Sequence, residues 1–540
     1  MKALSRAVFR VLIADDVSPE CRGLFSDDER FEVVEEKLRG EALIEGIADF
    51  DGLIVRSGCK VSADVLKNAT RLRAVVRAGV GVDNIDLTAA TRCGVLVMNT
   101  PEGNTVSAAE HTLAMMLALS RNIAPADSAV RGGGWRSKAF LGSELRGKTL
   151  AVVGLGKIGR EVATRARGFG MKIQGFDPML AEEAARALGI ELRGLEELFA
   201  DADYLTVHVP LTPKTRHLVD ASVLARVKPG LRIVNCARGG IIDEGALCDA
   251  LSEGRIAGAA LDVFEQEPLP AGHRLLSCPR LLLTPHLGAS TFEAQESVGV
   301  MSGRQLKAFL SSGEIKNAVN TLALDAAELE RVGPHLELAR HLGSIHAQLE
   351  GGAPKRLSVS CAGEIYEGGS GLAPRLKVVT LAVLEGYFKH YLNAPVNRVS
   401  VPHFAREHGL TIEERKSSDA KGYESLIEVV VETSEGRHSL SATSFGELGL
   451  RLVSFDGYSL DSKPEGVLLM FKNYDLPGML GQVCTTIGGA SVNIANVNLG
   501  RNESGGTALA AMNLDCALPG AALAELASME GIPWVRQVTL

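Results

Sequence analysis

From Val11 to about Asn99 the chain alternates short apolar runs (VLIA, GLIV, AVVR, GVLVMN) with amphipathic stretches such as Ala63 to Asn68. Continuous apolar runs separated by helix-length segments read as strands buried on both faces of a parallel sheet. A second series starts at Thr149 with TLAVVG and recurs at KIQGFD, YLTVHVP, RIVNCA, AGAALDVF and LLLTPH. The first part of the chain, to about residue 290, is therefore predicted to form two open α/β units. Between them Glu102 to Arg121 reads as a helix with small and apolar faces. Arg131 to Gly147 is a glycine-broken excursion, long for a connection and suited to an arm that reaches a partner subunit.

After Leu310 the pattern changes. Leu322 to Glu350 is helical with an apolar face, and the glycine-rich Gly351 to Gly371 marks a module boundary. Strand-like runs at Leu357 to Cys361, Leu426 to Thr433 and Leu450 to Phe455, with a helix around Lys377 to Tyr391, predict an α+β module. From about Gly466 the order is VLLMF, NYDLPG, MLGQVCTTIGGA, NIANVNLGR, TALAAMNLD, GAALAELAS and a last strand, which is βαββαβ. The predicted fold class is α/β: two Rossmann-like parallel-sheet domains followed by α+β modules.

Length and composition narrow this further. The 540 residues correspond to three or four folding units at about 150 residues each. With 57 Lys+Arg against 65 Asp+Glu, the net charge of −8 excludes a general affinity for nucleic acid or anionic membrane. The longest apolar run, Thr112 to Ser120, falls far short of the roughly 18 residues that cross a bilayer. Nine cysteines without a CxxC suggest neither a metal site nor a disulfide ladder, and point to thiols in a reducing compartment. Val11 to Ala14 is too short for a signal-peptide core, so the expected location is cytoplasmic.

Two chemical patterns stand out. In Thr149 to Ala163, GxGxxG follows a buried strand and opens a helix: Gly154 permits the tight turn, Gly156 admits a pyrophosphate to the backbone, and Gly159 allows close helix–strand packing. Asp177, 18 residues after Gly159, stands where an acidic group meets the adenosine ribose and repels a 2′-phosphate, so NAD is expected over NADP. Later strand ends carry NCARGGIIDEGAL, LDVFEQEP and TPHLGAST. Ligands gather at the carboxyl ends of parallel strands, so Arg238, Glu267 and His286 are expected to converge. Hydride removal from a secondary alcohol needs a base, an orienter for that base, and a cation for the substrate carboxylate.

The strings VGLGKIGREVATRARGFGMKIQGFDP, NCARGGIIDEGAL, LDVFEQEP and TPHLGAST resemble the D-isomer-specific 2-hydroxyacid dehydrogenases. RSGCKVSADVL, RAGVGVDNID and NTPEGNTVSAAEHTLAMMLALSR narrow the resemblance to the branch of that family acting on 3-phospho-D-glycerate, in its long form with an intervening and an ACT domain. It implies a discontinuous substrate-binding domain (1–102 and 288–320), an NAD-binding Rossmann domain (103–287), an intervening, allosteric-substrate-binding-like domain (321–465) and an ACT domain (466–540). It further implies NAD-dependent oxidation of 3-phospho-D-glycerate to 3-phosphooxypyruvate, the first step of L-serine biosynthesis. Hydroxypyruvate or glyoxylate reduction is the alternative. An NAD-sensing scaffold on the same fold is a third reading, disfavoured by the βαββαβ module.

By resemblance His286 is the acid/base, Glu267 its partner in preference to Glu265 because it directly precedes Pro268, and Arg238 the carboxylate cation. Asp262 is implied at the nicotinamide carboxamide, and Val80, Lys157, Ile158, Val209, Cys236, Ala237, Leu287, Gly288 and Ala289 along the dinucleotide. Arg56, Ser57, Arg77 and Asn104 are implied substrate contacts. The arm departs from the family pattern: Trp135 to Gly142 reads WRSKAFLG, keeping Lys138 but displacing Arg136. Asn473, Asp475 and Asn493 match the effector edge of ACT domains. There, L-serine inhibition and dimerisation without an effector stand as alternatives, within an expected homodimer or homotetramer. Lys421, Arg437 and Arg451 suggest a second anion site.

Overall fold

The computed structural model describes residues 8–540 except 350, 364, 366–371, 447–448 and 504, so part of the glycine-rich boundary lies outside the described residues. The first unit is an all-parallel sheet of β1 (Phe9–Ile13), β2 (Phe31–Glu35), β3 (Gly52–Val55), β4 (Ala74–Arg77) and β5 (Leu96–Asn99), in the order β2-β1-β3-β4-β5. Both faces of its central strands are covered, which is why they read as unbroken apolar runs.

The second unit is also all-parallel. It comprises β6 (Thr149–Val153), β7 (Lys172–Phe176), β8 (Glu191–Leu192), β9 (Tyr204–Val207), β10 (Arg232–Asn235), β11 (Gly258–Leu261) and β12 (Leu281–Leu283). The order β12-β11-β10-β9-β6-β7-β8 reverses direction between β6 and β9. That switch point is where an open α/β sheet leaves a crevice at its carboxyl edge. The helix Thr105–Ser120 leaves the first unit and packs on β10 and β11, while Phe292–Ser312 returns to pack on β3 and β4. The first unit is thus completed by chain from beyond the second.

A mixed sheet follows, built from β13 (Pro354–Gly363), β14 (Thr411–Ser417), β15 (Ser425–Thr433), β16 (Arg437–Ser444), β17 (Leu450–Phe455) and β18 (Tyr458–Ser462). The helices Ala326–Leu349 and Leu372–Tyr391 lie against it. The last module has β19 (Val467–Tyr474), β20 (Ile494–Arg501), β21 (Thr507–Leu514) and β22 (Trp534–Thr539), ordered β20-β21-β19-β22 and antiparallel. Its helices Met479–Gly489 and Gly520–Ser528 complete βαββαβ. One face of this sheet packs on those two helices, and the other (Leu468, Met470, Leu509, Ala511, Val538) joins the core of the mixed-sheet module. No helix among the described residues is long and apolar enough to cross a membrane.

Candidate active site

The dinucleotide turn leaves β6 at the switch point. Gly154 has φ +91, and a Cβ there would lie 2.5 Å from the carbonyl oxygen of His208 at the end of β9. A Cβ on Gly159 would lie 2.0 Å from the carbonyl oxygen of Gly154, so both positions need glycine. Gly156 caps the helix Lys157–Gly168, and a Cβ there would meet nothing within 4 Å. The backbone at Gly156 is therefore open to close approach, at a helix start that no side chain caps, and a helix N-terminus is where a pyrophosphate is received. Asp177 directly follows β7, and its carboxylate accepts from Leu155 N (2.8 Å) and Met179 N (2.9 Å), which fixes it beside the turn. Lys157 pairs with Glu102 across the two units, and Val80, Ile158, Val209, Cys236 and Ala237 are half-buried near the strand ends. These residues fit a dinucleotide.

The three chemistry-bearing groups meet at the ends of β10, β11 and β12. Glu267 Oε2 lies 2.7 Å from His286 Nδ1, and Glu267 Oε1 accepts from Phe264 N at 3.0 Å. Burial alone would raise the Glu267 carboxyl, but the hydrogen bonds from His286 and Phe264 and the Arg238 charge hold it below the usual range. Glu265 points elsewhere and bonds His217 Nε2 at 3.0 Å. Arg238 Nε donates to Asp83 Oδ2 at 3.0 Å, so a residue of the second unit reaches the first. A Cβ on Gly81 would lie 1.7 Å from Arg238 Nη2, so the guanidinium lies directly over that glycine and a side chain there would push it aside.

Arg77, at the end of β4, brings a second cation. Burial, with the neighbouring Arg238 charge, lowers its pKa to about 10, and its Nε is buried without a partner. Asn104 Oδ1 is likewise buried and unpartnered. Arg56 follows β3 and donates through Nη1 to Asp16 O at 3.1 Å, with exposed Ser57 next to it. Two neighbouring arginines, one with an unspent donor, are the kind of arrangement that suits an anion.

Asp262 is wholly buried. It accepts from Thr284 Oγ1 (2.5 Å), Leu287 N (2.7 Å) and Gly288 N (2.9 Å), so its carboxylate fastens the turn carrying His286. His286 itself has φ +57, a left-handed conformation that costs a non-glycine residue roughly 1–2 kcal/mol. Asp83, the donors to Asp262 and the Thr284 hydroxyl carry no mark in the sequence spacing and reach the site only through the fold. Cys236, beside Asp262, is pushed up to about 12 by burial and that charge, so it stays a thiol.

At the far end of the molecule, Asn473 is buried with Oδ1 unpartnered. Asp475 is bound by Arg501 and Gly505 N, and Asn493 by Asp515. Lys421, Arg437 and Arg451 are paired with Glu428, Glu432 and Asp461 respectively. In the arm, Arg136 and Lys138 are exposed, as are Trp135 and Leu141.

A Rossmann unit with this turn and this Arg–Glu–His set defines an NAD-dependent oxidoreductase of the D-isomer-specific 2-hydroxyacid dehydrogenases. Residues 113–288 match the NAD-binding domain of that family, and residues 331–456 match the D-3-phosphoglycerate dehydrogenase intervening domain. The chain belongs to the D-3-phosphoglycerate dehydrogenase family. It is 38% identical to the D-3-phosphoglycerate dehydrogenase of Bacillus subtilis, covering 99% of this chain and 100% of the relative. For that of Methanocaldococcus jannaschii the figures are 39%, 98% and 100%. Among solved structures, a glyoxylate reductase from Paecilomyes thermophila is similar with TM-score 0.54 and 30% identity, covering 58% of this chain and 98% of its own. An NAD-dependent formate dehydrogenase from Staphylococcus aureus in complex with NAD gives 0.52 and 28%, covering 57% and 98%.

Proposed function

We propose that the chain oxidises 3-phospho-D-glycerate to 3-phosphooxypyruvate with NAD, as the first step of L-serine synthesis in the cytoplasm. The observation that carries this reading is the convergence of the His286–Glu267 pair with Arg238 and Arg77 across the crevice between the two units. NAD, when bound, supplies the hydride acceptor. An ionised Glu267 accepts only, so the ring proton of neutral His286 sits on Nδ1 and the Nε2 lone pair is free to take the C2 hydroxyl proton. Arg238 donates to the substrate carboxylate after yielding its contact with Asp83. Arg77 and Arg56 offer donors to the remaining anionic groups, and Asn104 Oδ1 offers an acceptor to a hydroxyl.

One observation favours the second reading, reduction of glyoxylate or hydroxypyruvate: the arm keeps one of the family's cations in place, so a neighbour's help with the phosphate is reduced. Rates on 3-phospho-D-glycerate and on the plain hydroxy acids, measured side by side, decide between them. At least a tenfold advantage in kcat/KM for the phosphorylated acid, about 1.4 kcal/mol of discrimination, supports the first.

For the last module, the buried free oxygen of Asn473 supports L-serine as an effector, and exposed Trp135 and Leu141 support self-association into a dimer or tetramer. Titration of activity with L-serine, alone and with Asn473→Ala, tests the effector.

A further inference from the structure

We propose that His111 is a positioning residue for proton transfer, acting through Asp262 and the turn that presents His286. The inference rests on the reading of His286 as the acid/base. His111 Nε2 lies 3.1 Å from Asp262 Oδ1 and 3.2 Å from Thr284 Oγ1. Asp262 is fully buried and can only accept while ionised, so His111 carries its proton on Nε2. Three donors thereby converge on one oxygen: His111, the Thr284 hydroxyl and Leu287 N. Gly288 N occupies the other.

Thr284 and Leu287 bracket His286, whose left-handed backbone does not hold itself and must be fixed from outside. The helix Thr105–Ser120 supplies that fixation twice on one face. Ser107 Oγ donates to Gly288 O at 2.9 Å, and His111, four residues on, reaches Asp262. Losing the His111 donor leaves a buried carboxylate under-satisfied. Its neutral form would give up an acceptor and release one of the turn's N–H groups.

The test compares His111→Leu, His111→Asn and His111→Gln in the full chain. Gln places an amide N–H near the position of Nε2; Asn is polar but too short, so it keeps the proposal testable should Leu fail to fold. Leu and Asn are expected to lower kcat about 30- to 100-fold while KM and NADH affinity stay within about threefold, because a misplaced acid/base group slows chemistry more than binding. Gln is expected to recover kcat to within about fivefold of the unaltered enzyme.

Amide exchange of Leu287 and Gly288, read without substrate, should accelerate at least about tenfold in Leu and Asn but not in Gln. Unchanged kcat in Leu and Asn, unchanged exchange, or Gln no better than Asn overturns the proposal. An unaltered enzyme that turns over no 2-hydroxy acid overturns the functional reading instead, and the exchange rates still decide the role of His111 in the turn.

Discussion

Glu267 and His286 stand 19 residues apart in sequence and 2.7 Å apart in space, with Nδ1 of the imidazole facing the carboxylate. Their carriers are the loops after β11 and β12, adjacent parallel strands whose carboxyl ends open to the same crevice. Replacing Glu267 by Gln keeps the shape but removes the charge that fixes the ring tautomer. The expected result is a kcat about 100- to 1000-fold lower with NADH affinity unchanged, read by initial rates and NADH fluorescence titration. A kcat within threefold of the unaltered enzyme would mean that the carboxylate does not orient the base.

The two carboxylates also set an acid limit. Glu267 and Asp262 both titrate below their ordinary values of 4.5 and 3.8 in the folded chain. A depressed folded value stabilises the fold fully above the ordinary value, and that contribution is lost as pH falls through the lower one. Thermal unfolding should therefore show a Tm insensitive to these groups at neutral pH and falling below about pH 4. In Asp262→Asn the part of the fall due to that group should vanish.

Asp83 holds Arg238 before substrate arrives. The carboxylate is 72% exposed, and such a pair is worth roughly 0.2–1 kcal/mol. Asp83→Ala should therefore lower KM for the hydroxy acid by up to about fivefold while leaving kcat in place. A rise in KM would show that Asp83 helps to aim the guanidinium instead of competing for it.

Arg77 is largely buried, and its Nε finds no hydrogen-bond partner. Removing it should relieve an unpaired buried group and destroy the anion site together. Arg77→Met is expected to raise stability by about 1–2 kcal/mol and to raise KM for 3-phospho-D-glycerate at least about 100-fold. Denaturant unfolding and steady-state kinetics on the same preparation read both. Because Arg77 titrates near 10, KM should also climb as pH passes that value.

The architecture was legible wherever burial forces a pattern. Strands β3, β4, β6 and β10 are covered on both faces and read as apolar runs, and the glycine turn after β6 announced its ligand by spacing. The mixed-sheet module was read less completely. β14 (TIEERKS, mostly exposed) and the serine-rich β16 and β18 lack an apolar signature, because their stability comes from pairing with neighbouring strands. In the site, Arg238, Glu267 and His286 could be named because each follows a strand within a dense motif. Asp83 and His111 could not be read from spacing, since their partners lie 155 and 151 positions away in the chain. Asp262 was expected at the nicotinamide carboxamide; the bonds that its buried carboxylate accepts from the turn carrying His286 were not legible in the sequence.

The claim at the centre of this account is that the Nε2 of His286 receives the substrate proton. His286→Ala, assayed for NADH formation from 3-phospho-D-glycerate and NAD alongside a direct titration with NADH, tests it. A kcat at least about 1000-fold lower, with NADH affinity within threefold, is the predicted result. Turnover within tenfold of the unaltered enzyme would contradict it.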